Sequence, residues 1–212
     1  MAIAVIDYCK GNLRSVQKGL ESVGGVAVIT SDPDEVSRSE ALVLPGVGAF
    51  ADASDTMLQT GLMDAVRESI KRGVPFLGIC LGLHLLFDYG EEGGDGHSEG
   101  LGILRGYSGK LDAFTPEGQK VKIPHVGWNT VDYARDCELM HGVPDHSHFY
   151  FTHSYQCNPT DSSVVVATTT HGTEFTSAVA SDNVFGVQFH PEKSSALGMK
   201  VLSNFVSIVR RS

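Results

Sequence analysis

The sequence has no excess of positive charge and no long apolar segment. Its 16 lysines and arginines are outnumbered by 25 acidic residues, so the formal net charge is −9. That balance offers no basic surface for nucleic acid or anionic lipid. No apolar run reaches the roughly 20 residues that a helix needs to cross a bilayer. We therefore expect neither a nucleic-acid-binding protein nor a membrane protein.

Cysteine is also scarce, and the four cysteines are widely separated, with no C-x-x-C pair: Cys9, Cys80, Cys137 and Cys157. Such spacing argues against a disulfide framework and against a structural zinc site. The first residues lack a basic leader and run directly into an apolar segment, unlike a signal peptide. These features predict a cytoplasmic protein.

The composition is that of a folded globular chain, with 42% hydrophobic and 19% charged residues. A length of 212 residues is enough to bury a large core and matches one α/β domain. We therefore expect residues 1–212 to form a single domain.

The first half of the sequence alternates short apolar runs with stretches of helical periodicity. Apolar runs at 2–6, 26–30, 41–44 and 75–79 are typical of buried strands. Helices are predicted over 13–23 and over 57–72, the latter broken at Gly61. This alternation predicts an α/β fold with a mostly parallel central sheet and helices on both faces.

After residue 101 the pattern changes to strands separated by turn residues, which predicts a mixed or antiparallel extension. The predicted strands are 103–111, 121–123, 149–152, 164–170 and 184–189. A closing amphipathic helix is predicted over 197–209. The acidic, glycine-rich segment 90–100 is predicted to be a mobile loop.

The strongest chemical signal is G-I-C-L-G at residues 78–82, between an apolar strand and a helix-like segment at 83–88. It matches the G-x-nucleophile-x-G elbow, with Cys80 as nucleophile and glycines where a Cβ would collide. A helix N-terminus favours a thiolate, and the N–H of Leu81 would face the oxyanion. The alternative is a buried structural cysteine.

A thiol nucleophile needs a base and a group that orients the base. The segment Q-F-H-P-E at 188–192 supplies both, since residues two apart at a strand end point to the same side. His190 would carry the proton, and Glu192 would hold its tautomer. This string is weak by itself and becomes specific together with the elbow.

A third segment, P-G-V-G at 45–48, also follows a predicted strand. It is either a tight turn or a second source of oxyanion-stabilising N–H groups at Gly46, Val47 and Gly48. Glycine tolerates the backbone angles that would turn these groups toward the developing charge.

Further strings extend the pattern along nearly the whole chain: D-Y at 7–8, G-N-L at 11–13, P-H-V-G-W-N at 124–129, F-Y-F-T-H-S-Y at 149–155 and Q-F-H-P-E-K-S at 188–194. Together with the elbow, they make the sequence similar to the class I, triad-type glutamine amidotransferases. Within that family the similarity is greatest to the glutaminase subunits of imidazole glycerol phosphate synthases.

The resemblance implies a flavodoxin-like sheet, a Cys80–His190–Glu192 triad and no metal or cofactor. It implies that L-glutamine lies near Gly48, Leu81, His84, His153, Ser154 and Tyr155. It also implies a heterodimer with a cyclase partner, whose (β/α)8 barrel receives the ammonia through a tunnel. The residues implied to face this partner are Asn12, Pro124, His125, Trp128 and Lys193.

Two residues depart from the family pattern. Cys9 stands where glycine is usual, and His84 stands where glutamine is usual. His84 lies one helical turn beyond Cys80 and is predicted to contact the substrate. An imidazole replaces only part of an amide's donor and acceptor set, which would alter substrate affinity.

Three alternative interpretations are weaker. The chain could serve another synthase, such as that of pyridoxal phosphate or anthranilate, or it could be non-catalytic and act only in docking. A metal site at His141, His146, His148 and His153 is also disfavoured, because no carboxylate or cysteine shares a recognised ligand spacing with them.

Overall fold

The computed structural model describes residues 2–9, 11–92 and 97–212. Its helices are α1 Leu13–Ser22, α2 Pro33–Arg38, α3 Phe50–Thr60, α4 Leu62–Lys71, α5 Leu81–His84 and α6 Ser195–Val209. Its strands are β1 Ile3–Ile6, β2 Ala27–Thr30, β3 Ala41–Gly46, β4 Phe76–Cys80, β5 Phe87–Gly90, β6 Ser98–Glu99, β7 Leu104–Lys110, β8 His125–Tyr133, β9 Ser147–His153, β10 Tyr155–Pro159, β11 Val165–His171, β12 Thr173–Ser181 and β13 Val184–Val187.

Five parallel strands form the centre of the sheet in the order β2-β1-β3-β4-β13. This is the strand order of flavodoxin-like folds, in which ligands bind at the carboxyl ends of the strands. Beyond β13 the sheet continues antiparallel through β12, β10 and β7. The predicted fold class, a parallel centre with a mixed extension, is confirmed.

Helices cover both faces of the parallel sheet because its strands are apolar on both sides. In β1, Ile3 and Val5 pack into the core shared with α1 and α6, while Ala4 and Ile6 pack into the core shared with α3 and α4. A strand buried on both faces is the normal environment of a parallel sheet. Among the helices of the described residues, none is long and apolar enough to cross a membrane.

The predicted break at Gly61 separates α3 from α4. Gly61 has a φ of 76°, in the left-handed region that glycine adopts at little cost. Its N–H donates to the carbonyl of Leu58 and ends α3. The helical segment begins earlier than predicted, at Phe50.

Two predicted elements are wrong. The helix over 83–88 ends at His84, and Phe87–Gly90 is instead strand β5, paired with β7. The carbonyl of Leu86 accepts the N–H groups of Ile103 and Leu104, so sheet bonding replaces the next helical turn. Residues 121–123 form no strand; the nearby pairing is a single bridge between Phe114 and Lys120.

The segment 90–100, predicted to be a mobile loop, contains strand β6, which pairs with β5. Residues 93–96 of that prediction lie outside the described residues. Strand β8, which pairs with β9, was not predicted because its glycine and mixed polarity hide the alternation expected of a strand.

Strands β3 and β4 and helix α5 meet so closely that side chains have no room between them. A Cβ on Gly82 would collide with the carbonyl oxygen of Leu44, and one on Gly78 would lie 2.8 Å from the nitrogen of Leu83. Both clashes involve backbone, which cannot rotate away as a side chain can. The predicted steric role of these two glycines is confirmed.

Gly82→Ala should therefore destabilise the chain strongly, by about 3 kcal/mol or more, because α5 must move away from β3. Gly73→Ala is the control: its added methyl meets nothing within 4 Å, and only its φ of 88° opposes the substitution. That conformational cost is about 1 kcal/mol. Urea unfolding of both variants measures the difference, and equal midpoints would contradict the steric account.

Candidate active site

Cys80 occupies the sharp turn between β4 and α5. Its φ of 55° and ψ of −108° are unusual for a residue with a side chain, and such strain is found at functional turns. The N–H of Leu81 is in the first turn of α5, where N–H groups have no acceptor within the helix. Because α5 is a single turn, its dipole is weaker than that of the longer helix predicted from the sequence.

His190 and Glu192 form a buried pair just after β13. The Nδ1 atom of His190 lies 2.9 Å from Oε1 of Glu192, and the two side chains are 2% and 1% exposed. Burial alone would lower the pKa of His190, but the neighbouring Cys80 and the hydrogen bond to Glu192 raise it to about 9. The imidazole is therefore protonated at neutral pH.

The opposite nitrogen of His190, Nε2, is buried and is turned toward Cys80 without a hydrogen bond of ordinary geometry. Catalytic hydrogen bonds are often loose in the free enzyme and tighten when substrate is bound. The structure thus brings together the three predicted triad residues, with the Glu192–His190 contact closed and the His190–Cys80 contact open.

The sulfur of Cys80 has two further polar neighbours. The side-chain nitrogen of Gln188 lies 3.8 Å from Sγ, and the carbonyl oxygen of Thr152 lies 4.0 Å from it. A thiol can donate to the carbonyl, whereas a thiolate can only accept, and the amide of Gln188 is a donor beside it in addition to His190.

A cavity of about 240 Å³ opens beside the sulfur. This volume suits a small metabolite better than a drug-sized ligand. The residues lining the cavity are Val47, Gly48, Cys80, Leu81, His84, Glu92, Thr152, His153, Ser154 and Tyr155. Every predicted substrate-side residue except Gly46 lies in this wall.

The two glycines of the P-G-V-G segment have different roles. Gly48 has a φ of 97°, as expected for a turn that needs glycine. Gly46 instead allows close packing, because a Cβ there would collide with the hydroxyl of Tyr8 and lie 2.7 Å from Cβ of Leu81. Val47 between them is exposed and lines the cavity.

His84 is part of the cavity wall, but its nitrogens are bound within the protein. Nδ1 lies 2.6 Å from Oγ of Ser108, and Nε2 lies 2.8 Å from Oε1 of Gln188. Neither nitrogen is available to bond the substrate directly in this arrangement. Burial lowers the pKa of His84 to about 4, so the imidazole is neutral at physiological pH.

Two more histidines, His153 in the cavity wall and His125 on β8, are hydrogen-bonded to each other. His153 binds the carbonyl of Tyr155 through Nδ1, at 2.7 Å, and His125 through Nε2, at 2.9 Å. Burial is the main reason that the pKa values fall to about 3 for His153 and about 4 for His125. A polar chain therefore leads from the cavity wall into strand β8.

The predicted partner-facing residues are not all on the surface. Pro124, Trp128 and Lys193 are exposed, whereas His125, the first residue of β8, is buried. Asn12 is half-buried, and its side-chain nitrogen lies 3.4 Å from Oε1 of Glu192. It thus links the predicted surface to the candidate triad.

Besides Thr152 in the cavity wall, sequence reasoning missed three residues that the structure places at the site. Glu92 brings a carboxylate to the cavity, and its Oε2 accepts the N–H of Phe50 at 2.7 Å. Gln188 faces the sulfur, and the buried hydroxyl of Tyr8 lies against Gly46. The strings D-Y and Q-F-H-P-E contained two of these residues, but nothing in them indicated which side chains point inward.

The histidines considered for a metal site are dispersed. His153 is in the cavity wall, while His146 lies at the surface beside Asp132 and Asp145. Hydrogen bonding to Asp132 raises the pKa of His146, as expected for an exposed ion pair. Exposed acidic groups of this kind are common without a bound ion.

Comparison with known proteins gives a consistent result. The family model for glutamine amidotransferase class-I matches residues 4–209. The chain is 49% identical over 210 residues to the imidazole glycerol phosphate synthase subunit HisH of Moorella thermoacetica, covering 99% of this chain and 96% of that one. It is 46% identical to the HisH subunit of Geobacillus thermodenitrificans, covering 98% and 96%.

Solved structures share the fold at lower sequence identity. A putative GMP synthase subunit from Thermoplasma acidophilum superimposes with a TM-score of 0.72 at 18% identity, covering all of this chain and 94% of that one. Similarity at this level of identity supports the architecture alone.

The buried histidines predict how stability depends on pH. Unfolded histidines titrate near 6.5, so His84, His125 and His153 bind protons on unfolding between pH 6.5 and their folded values, and stability falls as pH falls through that window. His190 acts oppositely: its stabilisation is complete below 6.5 and is lost as pH rises toward 9. We expect maximal stability near pH 6.5–7.

Urea unfolding between pH 4.5 and 9 measures this profile. A single buried histidine with the pKa shift of His84 changes the free energy of unfolding by on the order of 3 kcal/mol as the pH falls from 6.5 to about 4, the acid limb of the profile. His84→Gln should flatten that limb, whereas His148→Gln, at an exposed position, should leave it unchanged. If the wild type, His84→Gln and His148→Gln all lost stability with the same slope below pH 6.5, the assignment of a neutral His84 would be contradicted.

Proposed function

Because this chain belongs to the class I glutamine amidotransferase family, we propose that it is the glutaminase subunit of an imidazole glycerol phosphate synthase. It hydrolyses L-glutamine to glutamate and ammonia for histidine biosynthesis. One observation carries the chemistry: Cys80 and the buried His190–Glu192 pair converge beside a cavity for a small molecule.

The proposed reaction begins when the Cys80 thiolate attacks the side-chain amide carbon of glutamine. The protonated His190 gives its proton to the leaving nitrogen, which departs as ammonia. A water molecule, deprotonated by His190, then attacks the glutamyl thioester and releases glutamate. Glu192 stabilises the imidazolium and holds its orientation throughout.

The negative charge that forms on the amide oxygen needs hydrogen-bond donors. The N–H of Leu81 is one, and the peptides of Val47 and Gly48 supply a second when they turn toward the cavity. Glycine at position 48 makes that turn accessible, since its φ is already positive.

Groups in the cavity wall explain selection for an amino acid. We assign Glu92 to the α-ammonium group of glutamine, because its carboxylate is the acidic side chain in the wall. Ser154 and Tyr155 line the wall with further polar groups for the α-carboxylate. No cofactor takes part in this scheme.

The proposed partner is a cyclase subunit with a (β/α)8 barrel, forming a heterodimer that receives the ammonia through a tunnel and catalyses a lyase step. Val126 and Trp128 are 56% and 52% exposed on one face of β8, as expected for an apolar contact surface. Tyr150 packs against Trp128, and Lys193 lies 5.9 Å from the ring of Tyr150. Aromatic and cationic side chains of this kind often dominate binding.

Two broader assignments belong to the same proposal. The family model extends over residues 4–209 and one sheet joins both halves, which supports a single domain over 1–212. The nucleophile is a free thiol, which supports a reducing cytoplasmic location.

Cys80→Ala should abolish glutamine-dependent synthesis by the complex and leave synthesis from added ammonium salts intact, because Cys80 acts only in making ammonia. The measurement is product formation with each nitrogen source. Cys137→Ala is the control and should retain both activities, since Cys137 lies outside the cavity. Glutamine-dependent turnover by Cys80→Ala would remove the nucleophile assignment and favour a docking role.

The isolated chain should hydrolyse glutamine poorly and be activated by the cyclase subunit with its ribonucleotide ligand. Loss of one oxyanion donor costs about a hundred- to a thousandfold in rate, so the wrong orientation of the Val47–Gly48 peptide is enough to silence the enzyme. A ligand-bound partner that prefers the active orientation would shift this equilibrium. Glutamate release is measured for the chain alone, with partner, and with partner plus ligand.

Equal rates in the three conditions would show that the oxyanion site is preformed.

Trp128→Ala should raise the partner concentration needed for half-maximal activation. Leu58→Ala is a matched control. Leu58 is 43% exposed, and it lies about 12 Å along α3 from Phe50, where the helix begins. An identical partner requirement for both variants would place the docking surface elsewhere.

A further inference from the structure

A line of buried side chains ends at the sulfur of Cys80. Ser108 on β7 contacts His84 on α5, His84 contacts Gln188, and Gln188 contacts Cys80. Ser108, His84 and Gln188 are 1%, 3% and 0% exposed, so these contacts lie away from bulk solvent. Neither the proposed triad nor the proposed substrate contacts assign a role to these three residues.

The chemistry of the groups sets the direction of each hydrogen bond. A thiolate only accepts, so the amide nitrogen of Gln188 faces it and the amide oxygen faces His84. That oxygen needs a donor, which makes Nε2 of His84 the protonated nitrogen. Nδ1 then accepts the hydroxyl hydrogen of Ser108. One consistent chain of donors therefore runs from Ser108 to the sulfur.

We propose that His84 and Gln188 are positioning residues that hold an amide donor on the Cys80 sulfur and thereby favour its thiolate form. Without this restraint the amide could rotate and present its oxygen to the sulfur. The proposal rests on the assignment of Cys80 as the nucleophile. It gives His84 a role through Gln188 rather than through direct hydrogen bonding to glutamine.

The other polar neighbour of the sulfur acts in the opposite direction. The carbonyl of Thr152 accepts from a thiol and repels a thiolate, whereas the Gln188 amide stabilises the thiolate. Burial keeps His84 neutral, with a pKa of about 4, so the chain of donors persists across the pH range of activity. The other titratable groups that act on Cys80 or His84 are His190, Tyr8, Cys157 and His153.

Two substitutions at position 84 separate the contacts of the imidazole. The end of a glutamine side chain occupies nearly the place of Nε2, so His84→Gln can still donate to Gln188. The end of an asparagine side chain occupies the place of Nδ1, so His84→Asn reaches Ser108 but not Gln188. Gln188→Leu removes the amide donor itself with little change in volume.

The experiment uses the complex with the cyclase subunit. Alkylation of Cys80 by iodoacetamide is followed across pH 5–9 by mass spectrometry of its peptide, and kcat and KM for glutamine are measured in parallel. His84→Asn and Gln188→Leu should raise the alkylation midpoint by about one pH unit, a tenfold loss of reactivity on the acid side. In both variants, kcat should fall by a larger factor than the factor by which KM changes. His84→Gln should lie closer to the wild-type profile than His84→Asn does.

Ser108→Ala provides a milder variant if the larger changes prevent folding, and it should move the midpoint in the same direction. An unchanged midpoint in the folded variants would overturn the proposal. A raised KM with an unchanged midpoint would also overturn it, in favour of direct substrate contact. If alkylation of wild-type Cys80 left the glutaminase active, the nucleophile assignment itself would fail, which is a different outcome.

Discussion

The close packing of β3, β4 and α5 is the constraint on which the active site depends. It forces Cys80 into a backbone conformation with a φ of 55°, which a residue with a side chain adopts only when its surroundings leave no alternative. Gly78 and Gly82 make the packing possible by bringing backbone against backbone, and Gly46 leaves room for the hydroxyl of Tyr8 and the Cβ of Leu81. The sulfur and the N–H of Leu81 are thereby held at the rim of one cavity.

Buried histidines around this cavity have pKa shifts in opposite directions. His190 is paired with Glu192 and acted on by Cys80, so its pKa rises to about 9 despite desolvation. His84 and His153 have only neutral partners, so desolvation lowers their pKa values to about 4 and about 3. The same residue type therefore supplies a proton donor at one position and neutral hydrogen-bonding groups at others, and the difference is the presence of a buried negative charge.

The contact between Asn12 and Glu192 places the proposed triad one side chain away from the predicted docking surface. The exposed face of β8 and the exposed Lys193 lie near the same end of the molecule. A partner that moves Asn12 would alter the environment of the carboxylate that orients His190. Such a path would complement the proposed reorientation of the Val47–Gly48 peptide, since both would act on groups beside the Cys80 sulfur.

Local sequence determined the alternation of strands and helices, the break at Gly61 and the elbow around Cys80, because these depend on periodicity and on the backbone freedom of glycine. It also determined the fold class, since parallel strands must be apolar on both faces. Tertiary structure decided which side chains meet. That α5 ends at His84, that His125 is buried, and that Glu92 and Gln188 face the site all follow from contacts between segments far apart in the sequence. Hydrogen bonds formed across such separations leave no local pattern in the sequence.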